Sequence, residues 1–383
     1  MNGAVYLQSI GSQQIQQYLK DLGQKQLWSD IQTNPELLKL AKSPLFLTML
    51  AVAYQGQPIQ DIESLFNAYI HKQLYNPNYK GTYQPGEKHS AEKTLHYLGW
   101  LANQLQERKE TEFLIETLQP DWLEAKQRIK NYKLTVGLAI GLMNGLTVGI
   151  AFGRVVGLGF GITFGLGIGL FFGLNAGLSD IQPKEQLKWS FRRSLIFGLG
   201  FGLFFGLILG LIVGLNSGLS SGLSSGLAFG LFFGLSSGLS NGLSSKAIEQ
   251  KRIPNQGIKK SLWNGLIFGL SNGLFFGLSS GLFFGLSSGL VGGMLIGLIG
   301  RLGGGLFDAI QHFILRLFLT KNGDTPWNYA QFLEHAARHR FIQRTGGRYR
   351  FVHDLLRQHF AEMTPQQQAI LAQGGDVTNQ ANP

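Results

Sequence analysis

The stretch SLIFGLGFGLFFGLILGLIVGL, residues 194–215, decides how this chain is read. Glycine stands at 198, 202, 206, 210 and 214, leucine follows each one, and large apolar residues fill most of the remaining places. The four-residue spacing continues to Gly242, recurs from Gly265 to Gly297, and precedes this stretch from Gly137 to Gly177. In water each glycine costs a helix roughly 1 kcal/mol relative to alanine. In lipid the backbone has no other partner than itself, so the helix persists, and small residues let two helix axes approach closely. The pattern therefore predicts membrane helices packed along glycine seams, with Gly202, Gly206, Gly273, Gly277 and Gly281 as packing positions.

Three apolar blocks carry the pattern: about 134–178, 195–243 and 262–300. Each is about twice the roughly 20 residues that cross a bilayer core of about 30 Å. Each is expected to be a hairpin. Arg154 marks a far-side loop in the first block, Asn216–Gly222 in the second, and Ser279-Ser280 or Ser287-Ser288 in the third. Charge supports an even count. The net charge is +11, and it divides as 0 over residues 1–130, +9 over 131–320 and +2 over 321–383. The basic residues gather at the flanks of the blocks: Lys126, Arg128, Lys130 and Lys133; Lys184, Lys188, Arg192 and Arg193; Lys246, Lys251, Arg252, Lys259 and Lys260; Arg301, Arg316 and Lys321. Basic loops stay cytoplasmic. Six crossings in three hairpins follow, or four if the serine-rich pieces lie at an interface. An integral protein of a bacterial inner membrane with both termini cytoplasmic is the expected location, and Met1–Tyr6 lacks the features of a signal peptide.

The fold expected is all-α: a helical domain over 1–130, a multi-spanning glycine-rich bundle over 131–320, a winged-helix-like segment over 321–362 and a disordered tail over 363–383. The first domain reads as helices started by Ser12, Asn34-Pro35, Ser43-Pro44, Asp61 and Ser90, with stops at Gly23 and Gly56. Beyond the blocks, residues 328–340 read as helix. Two alternating runs around Gly346-Gly347 read as a β-hairpin, and 353–362 as a final helix. From Thr364 the composition suggests disorder.

The chain contains no cysteine, which excludes disulfides and thiol chemistry. No Ser/His/Asp grouping or carboxylate pair suggests catalysis, and no cofactor is implied. His335 and His339 have i, i+4 spacing, but Arg338 and Arg340 beside them oppose a cation, so no metal is expected. Arg344, Arg348, Arg350 and Arg357 form a basic cluster. Solvation or anionic lipid suits it better than nucleic acid, since the excess charge lies at the apolar blocks and not on a soluble face. The glycine ladder is read as packing. A pore or transporter is the alternative, although Arg154 is nearly the sole ionisable group inside the blocks and pathways usually carry such groups. A truncated, inactive gene product, or a filler anchor expanded from a short repeat, is a further alternative.

The two ends resemble bacterial NACHT proteins, signal-transduction NTPases. Leu7–Ile10 with Ile15–Leu19 is similar to the segment after their nucleotide-binding core. Pro35-Glu36-Leu37 through Ala41-Lys42-Ser43-Pro44-Leu45-Phe46-Leu47 resembles their helix junction. Gly346-Gly347-Arg348-Tyr349-Arg350-Phe351-Val352-His353-Asp354-Leu355-Leu356 resembles their closing winged-helix motif. The resemblance covers roughly 1–130 and 325–362, and glycine-rich blocks between such ends resemble some cyanobacterial members. It implies that Pro44 lies by adenine and that His353 touches the phosphate of bound ADP, whereas as plain structure Pro44 starts a helix and His353 caps one. Gln358 and His359 depart from the motif, which has Glu and an aromatic there. No G-x-x-x-x-G-K-(S/T) occurs, and the first residues fall downstream of where the P-loop would lie. Without that loop phosphoryl chemistry lacks its main positioning device. The expectation is a regulatory, membrane-anchored part with no catalysis of its own. Its partners would be the lipid bilayer and a separate chain supplying the P-loop, and a homo-oligomer is compatible with it.

Overall fold

A computed structural model describes residues 9–75, 90–152, 186–246, 255–301 and 305–373, with a few isolated positions between 159 and 181. Most described residues are helical. In chain order the helices are α1 (Ser12–Asp21), α2 (Lys25–Thr33), α3 (Pro35–Ala41), α4 (Pro44–Ala53), α5 (Ile62–Leu74), α6 (Ala91–Arg108) and α7 (Lys126–Phe152). Strand β1 (Gln186–Trp189) leads into α8 (Phe191–Ser217) and α9 (Leu219–Gly242), and β2 (Leu243–Lys246) follows. Then come α10 (Gln256–Phe284), α11 (Leu286–Arg301), α12 (Phe307–Lys321) and α13 (Tyr329–Arg338). The chain closes with β3 (Ile342–Thr345), β4 (Arg348–Phe351), α14 (Asp354–Glu362) and α15 (Pro365–Ala372).

Local chemistry accounts for these boundaries. The Asn34 side chain accepts from the backbone N–H of Glu36 and Leu37, at 3.0 and 3.2 Å, and Pro35 takes the first turn of α3. Asp61 and Ser64 form a reciprocal capping box on α5, and Ser90 caps α6. Such caps satisfy N–H groups that a helix start leaves without partners. Gly23 and Gly56 lie at φ +75° and +87°, where glycine ends a helix without steric cost.

The chain forms two compact units. One comprises Met1–Phe113, Asn328–Thr345 and Tyr349–Pro383; the other comprises Leu114–Trp327 with Gly346–Arg348. This division falls at 113 and 327, and most of the two polar ends belongs to a single unit. The first of these boundaries has a cause in burial. Ile115, Trp122 and Leu123 are buried, and the His312 ring nitrogen Nε2 lies 2.8 Å from the carbonyl of Ile115, so this stretch packs with the elements that follow it.

In the first unit α14 and α15 pack along α6, and α4 packs on α5. Phe113 and Tyr349 exchange backbone hydrogen bonds of 2.7 and 2.8 Å, which ties the segment after α6 to strand β4. Buried Leu95, Leu98, Leu101, Phe332, Phe341 and Phe360 make the core. At Gly99 the backbone of α14 comes close, and a Cβ there would stand 3.2 Å from the Phe360 carbonyl. The segment from Thr364, expected to be disordered, instead forms α15 as far as Ala372. Thr364 and Gln367 make a capping box, Pro365 sits in the first turn, and Leu371 is buried. Composition missed it because a short helix can be held by one cap and one docked leucine.

In the second unit α8 and α9 form an antiparallel pair. The chain reverses at Gly218, φ +93°, inside the Asn216–Gly222 stretch. At the other end β1 and β2 pair in antiparallel register, Gln186 opposite Lys246 and Trp189 opposite Leu243. This two-stranded closure was not anticipated. Helices α10 and α11 form a second pair that reverses at Gly285, φ +90°, beside the Ser287-Ser288 candidate. Helix α9 meets α10, with Phe232 edge-on to Phe276 at 4.6 Å between ring centroids, and α7 packs on α11 and α12. Arg154 lies outside the described residues. Among the described residues one helix, Phe191–Ser217, is long and apolar enough to cross a membrane. In α9 the described residues Leu219–Leu235 form an apolar stretch of shorter length.

Candidate functional site

The residues singled out in the sequence fall at two places: the junction around Pro44 and His353, and the glycine seams.

Pro44 occupies the first turn of α4 after an extended Ser43. Two residues on, the buried Phe46 ring meets His353 at 4.6 Å, tilted by 65°. The start of α4 and the start of α14 are therefore neighbours, although more than 300 residues separate them in the sequence. His353 Nδ1 accepts from the backbone N–H of Leu355 at 3.1 Å and caps α14. The next residue, Asp354, holds Arg357 at 2.7 Å and accepts from Gln358 at 3.0 Å.

His359, where the resembling motif has an aromatic, is a half-buried ring. Its Nε2 lies 2.9 Å from the Asn67 side-chain oxygen, the ring stands 5.4 Å from Phe66, and burial pushes its pKa down to about 4. A concavity of about 420 Å³ opens beside it. Glu63, Glu362, Gln358 and Gln367 line it with apolar neighbours and no Lys or Arg. Two carboxylates without a cation oppose phosphate there.

The His335–His339 pair has ring centroids 4.2 Å apart. His339 Nδ1 lies 2.6 Å from the Gln73 carbonyl, an acceptor, so that nitrogen carries the proton and cannot ligate through it. Burial lowers the His339 pKa. Among the described residues no group of three metal-ligating side chains is found. In the basic cluster Arg344 pairs with Glu334, which also accepts from the Tyr349 hydroxyl at 3.0 Å, and Arg357 is held by Asp354. Two of its four guanidinium groups thus serve internal contacts. Burial, reinforced by the Glu334 carboxylate, raises the Tyr349 pKa.

The seams are the more ordered feature. A Cβ built on Gly202 would stand 2.9 Å from the Gly230 carbonyl oxygen, and one on Gly206 would stand 2.8 Å from that of Gly226. On the second pair, Gly273 faces the Gly293 oxygen at 2.8 Å and Gly277 faces that of Gly289 at 3.0 Å. Gly281 is looser, at 3.6 Å from the Gly289 Cα. Real Cβ atoms essentially never come closer than 3.0 Å, so at Gly202, Gly206 and Gly273 any side chain would force the helices apart, and Gly277 stands at that limit. Each seam meets backbone with backbone, glycine facing glycine along it, and Ser194 stands opposite Gly238 at one end of the first.

Sequence reasoning missed that the two pairs are copies. Adding 67 to a residue number of the first gives its counterpart in the second: Gly206 and Gly273, Gly218 and Gly285, Gly226 and Gly293. Even the closures correspond. The Ser194 carbonyl lies 2.8 Å from a Cβ built on Gly238, and the Ser261 hydroxyl donates to the Gly305 carbonyl at 3.0 Å. The signal was present in Arg192-Arg193-Ser194-Leu195 against Lys259-Lys260-Ser261-Leu262, hidden by the uniform four-residue period around it.

Comparison with protein-family models, with curated proteins and with solved structures returns no match for this chain.

Proposed function

We propose that this chain is a membrane-anchored regulatory component of a NACHT-type signalling system, with its glycine-seamed helix pairs seated in a bilayer and no NTPase chemistry of its own. The observation that carries the membrane reading is the surface of the α8–α9 pair. Glycines fill the seam, and Leu199, Leu203, Leu207, Leu211 and Leu215 are each more than half exposed. A helix pair facing water would turn such residues inward, whereas hydrocarbon accepts them at no cost. No Asp, Glu, Lys, Arg or His occurs between Arg193 and Lys246, or between Lys260 and Arg301. With β1 and β2 paired at one end of the first hairpin and the reversal at the other, Arg192, Arg193 and Lys246 belong to the same end. That polarity agrees with a cytoplasmic base for the hairpin. On this reading both copies of the hairpin enter from the same side, and multiple crossings with cytoplasmic termini follow.

The signalling part of the proposal rests on the family-like segments at Pro35–Leu47 and Gly346–Leu356. Support comes from the membership of Pro35–Leu47 and Tyr349–Leu356 in one compact unit, where Phe46 touches His353.

Two measurements on the full chain test it. After alkaline carbonate washing, the protein stays with the membrane if the helix pairs are embedded. Release into the wash contradicts the anchor. Purified in detergent, the chain turns over no ATP above a buffer blank; stoichiometric turnover that survives further purification contradicts the regulatory reading.

A further inference from the structure

The two helix pairs are copies, but their bases are closed differently. The first pair closes on itself. Strands β1 and β2 join its two ends, and the Ser190 side chain accepts from the Arg193 N–H at 3.4 Å to cap α8. Adding 67 gives Gly257 as the counterpart of Ser190, and Pro254 as that of Leu187 in β1. Glycine has no side chain with which to cap, and proline has no N–H for a strand ladder. The second pair therefore lacks the residues for both devices. Asn255, which precedes α10, makes no side-chain capping hydrogen bond.

A remote segment supplies a closure instead. Ile115–Thr117 form a short 3-10 turn within the second unit. The Glu116 carboxylate accepts from the backbone N–H of Gly257 at 2.5 Å, across 141 residues of sequence. Beside it, the Ile115 carbonyl accepts from His312 Nε2 on α12 at 2.8 Å. Glu116 and His312 are 2% and 1% exposed, so both bonds are shielded from water. A carboxylate on the first turn of a helix makes a charge-assisted bond and is favoured by the helix dipole. Two adjacent residues thus hold the start of α10 and the helix that follows α11. The hydrogen bond from Ser261 to Gly305 links α10 to the residues just before α12 as well.

The segment has a short lead. Phe113 exchanges two backbone hydrogen bonds with Tyr349 inside the first unit. Glu116 is three residues further on, at most about 11 Å of extended chain. A displacement of Phe113 is therefore passed to Glu116 with little slack. Further along, Gln119 exchanges hydrogen bonds with the backbone of Ile181, outside either helix pair.

We propose that residues 115–117 are a clip on the base of the α10–α11 pair. The pair is closed while the clip is docked and loosens at its base when the clip is drawn away, whereas the α8–α9 pair keeps its own closure. The second pair is then the movable one of the two copies, and Glu116 is the residue that positions its start. This device goes beyond the membrane and signalling readings and does not depend on either.

The test is hydrogen exchange on the full chain in detergent. Amides 257–260 at the start of α10 are compared with 191–194 at the start of α8. In Glu116→Ala, exchange at 257–260 rises on the order of tenfold, the protection that one cap confers, and 191–194 is unchanged. In Glu116→Gln the rise is smaller, because an uncharged acceptor remains. His312→Leu also raises exchange at 257–260, through the turn it no longer holds. Gly257→Ser added to Glu116→Ala supplies the counterpart of Ser190 and restores protection. No rise in Glu116→Ala overturns the clip. A rise in Glu116→Ala without one in His312→Leu leaves Glu116 a simple cap and overturns the bridge between α10 and α12. An equal rise at 191–194 is general loosening and overturns the distinction between the copies.

Discussion

Substituting alanine at Gly206 and at Gly200 separates a seam from a merely glycine-rich helix. The two positions lie on α8 six residues apart, yet their surroundings differ. A Cβ on Gly206 would stand 2.8 Å from the Gly226 carbonyl oxygen and 3.0 Å from the Gly230 Cα, whereas a Cβ on Gly200 meets nothing within 4 Å. To restore an ordinary 3.4 Å contact at Gly206, α8 and α9 have to separate by about 0.6 Å, the difference between those two distances. A gap of that size removes roughly a quarter of the dispersion attraction at each affected contact, and the helices are rigid enough to spread it to Gly202 and Gly210. Overpacking of this kind costs about 1–3 kcal/mol. At Gly200 no clash opposes the higher helix propensity of alanine, so the change is neutral or stabilising by up to about 1 kcal/mol. The assay is unfolding of the reconstituted full chain by added SDS, followed by the distance between spin labels at Leu203→Cys and Leu231→Cys. Gly206→Ala is expected to lengthen that distance and lower the midpoint, and Gly200→Ala to do neither. Equal shifts of the same sign in both variants would refute the reasoning, because only the seam distinguishes the positions.

Other outcomes follow from the same structure. Gly218→Ala and Gly285→Ala place a side chain at φ +93° and +90°; each is expected to destabilise its own helix pair by about 1–2 kcal/mol, measured by the same SDS titration. His359 is held near pKa 4 by burial, below the ordinary 6.5. The unfolded chain therefore binds more protons between those values, and the first unit loses stability on the order of 3 kcal/mol as pH falls from about 6.5 to about 4. Hydrogen exchange along α14 should show the loss, and His359→Phe should flatten it; a pH slope unchanged by that substitution contradicts the assignment. Asn34→Ala removes the acceptor of two backbone N–H groups at the start of α3, with an expected cost of about 1 kcal/mol, read as faster exchange in α3. In Tyr349→Phe, Glu334 keeps Arg344 but loses the hydroxyl donor, and local exchange in β4 should rise by about tenfold or less.

Much of the helical frame was legible because it depends on local chemistry. Asn34-Pro35, Asp61 and Ser90 are cap signals read within three residues, and the Gly346-Gly347 turn between alternating runs identifies β3 and β4. What escaped the sequence depends on distant contacts. Phe113 and Tyr349 pair across the chain, and no local pattern announces that the two polar ends join one unit. Helix α15 needed a docked Leu371 that composition does not reveal. Strands β1 and β2 are held by each other at the base of a hairpin. At the candidate sites the glycine period disclosed small-residue contacts but not their pairing, since any glycine of one helix matches any of the next until the reversals at Gly218 and Gly285 fix the register. His353 was weighed as phosphate ligand or helix cap, and the 3.1 Å bond from Leu355 to its Nδ1 shows the cap.

The most direct test of the membrane reading is the sidedness of single cysteines introduced at Asn216, Ser287, Glu249 and Lys321. With an impermeant maleimide on intact bacterial cells stripped of outer barriers, residues 216 and 287 label at once, while 249 and 321 label only after permeabilisation. Labelling of all four positions in intact cells, or of none before permeabilisation, would contradict two hairpins that enter the bilayer from the cytoplasmic side.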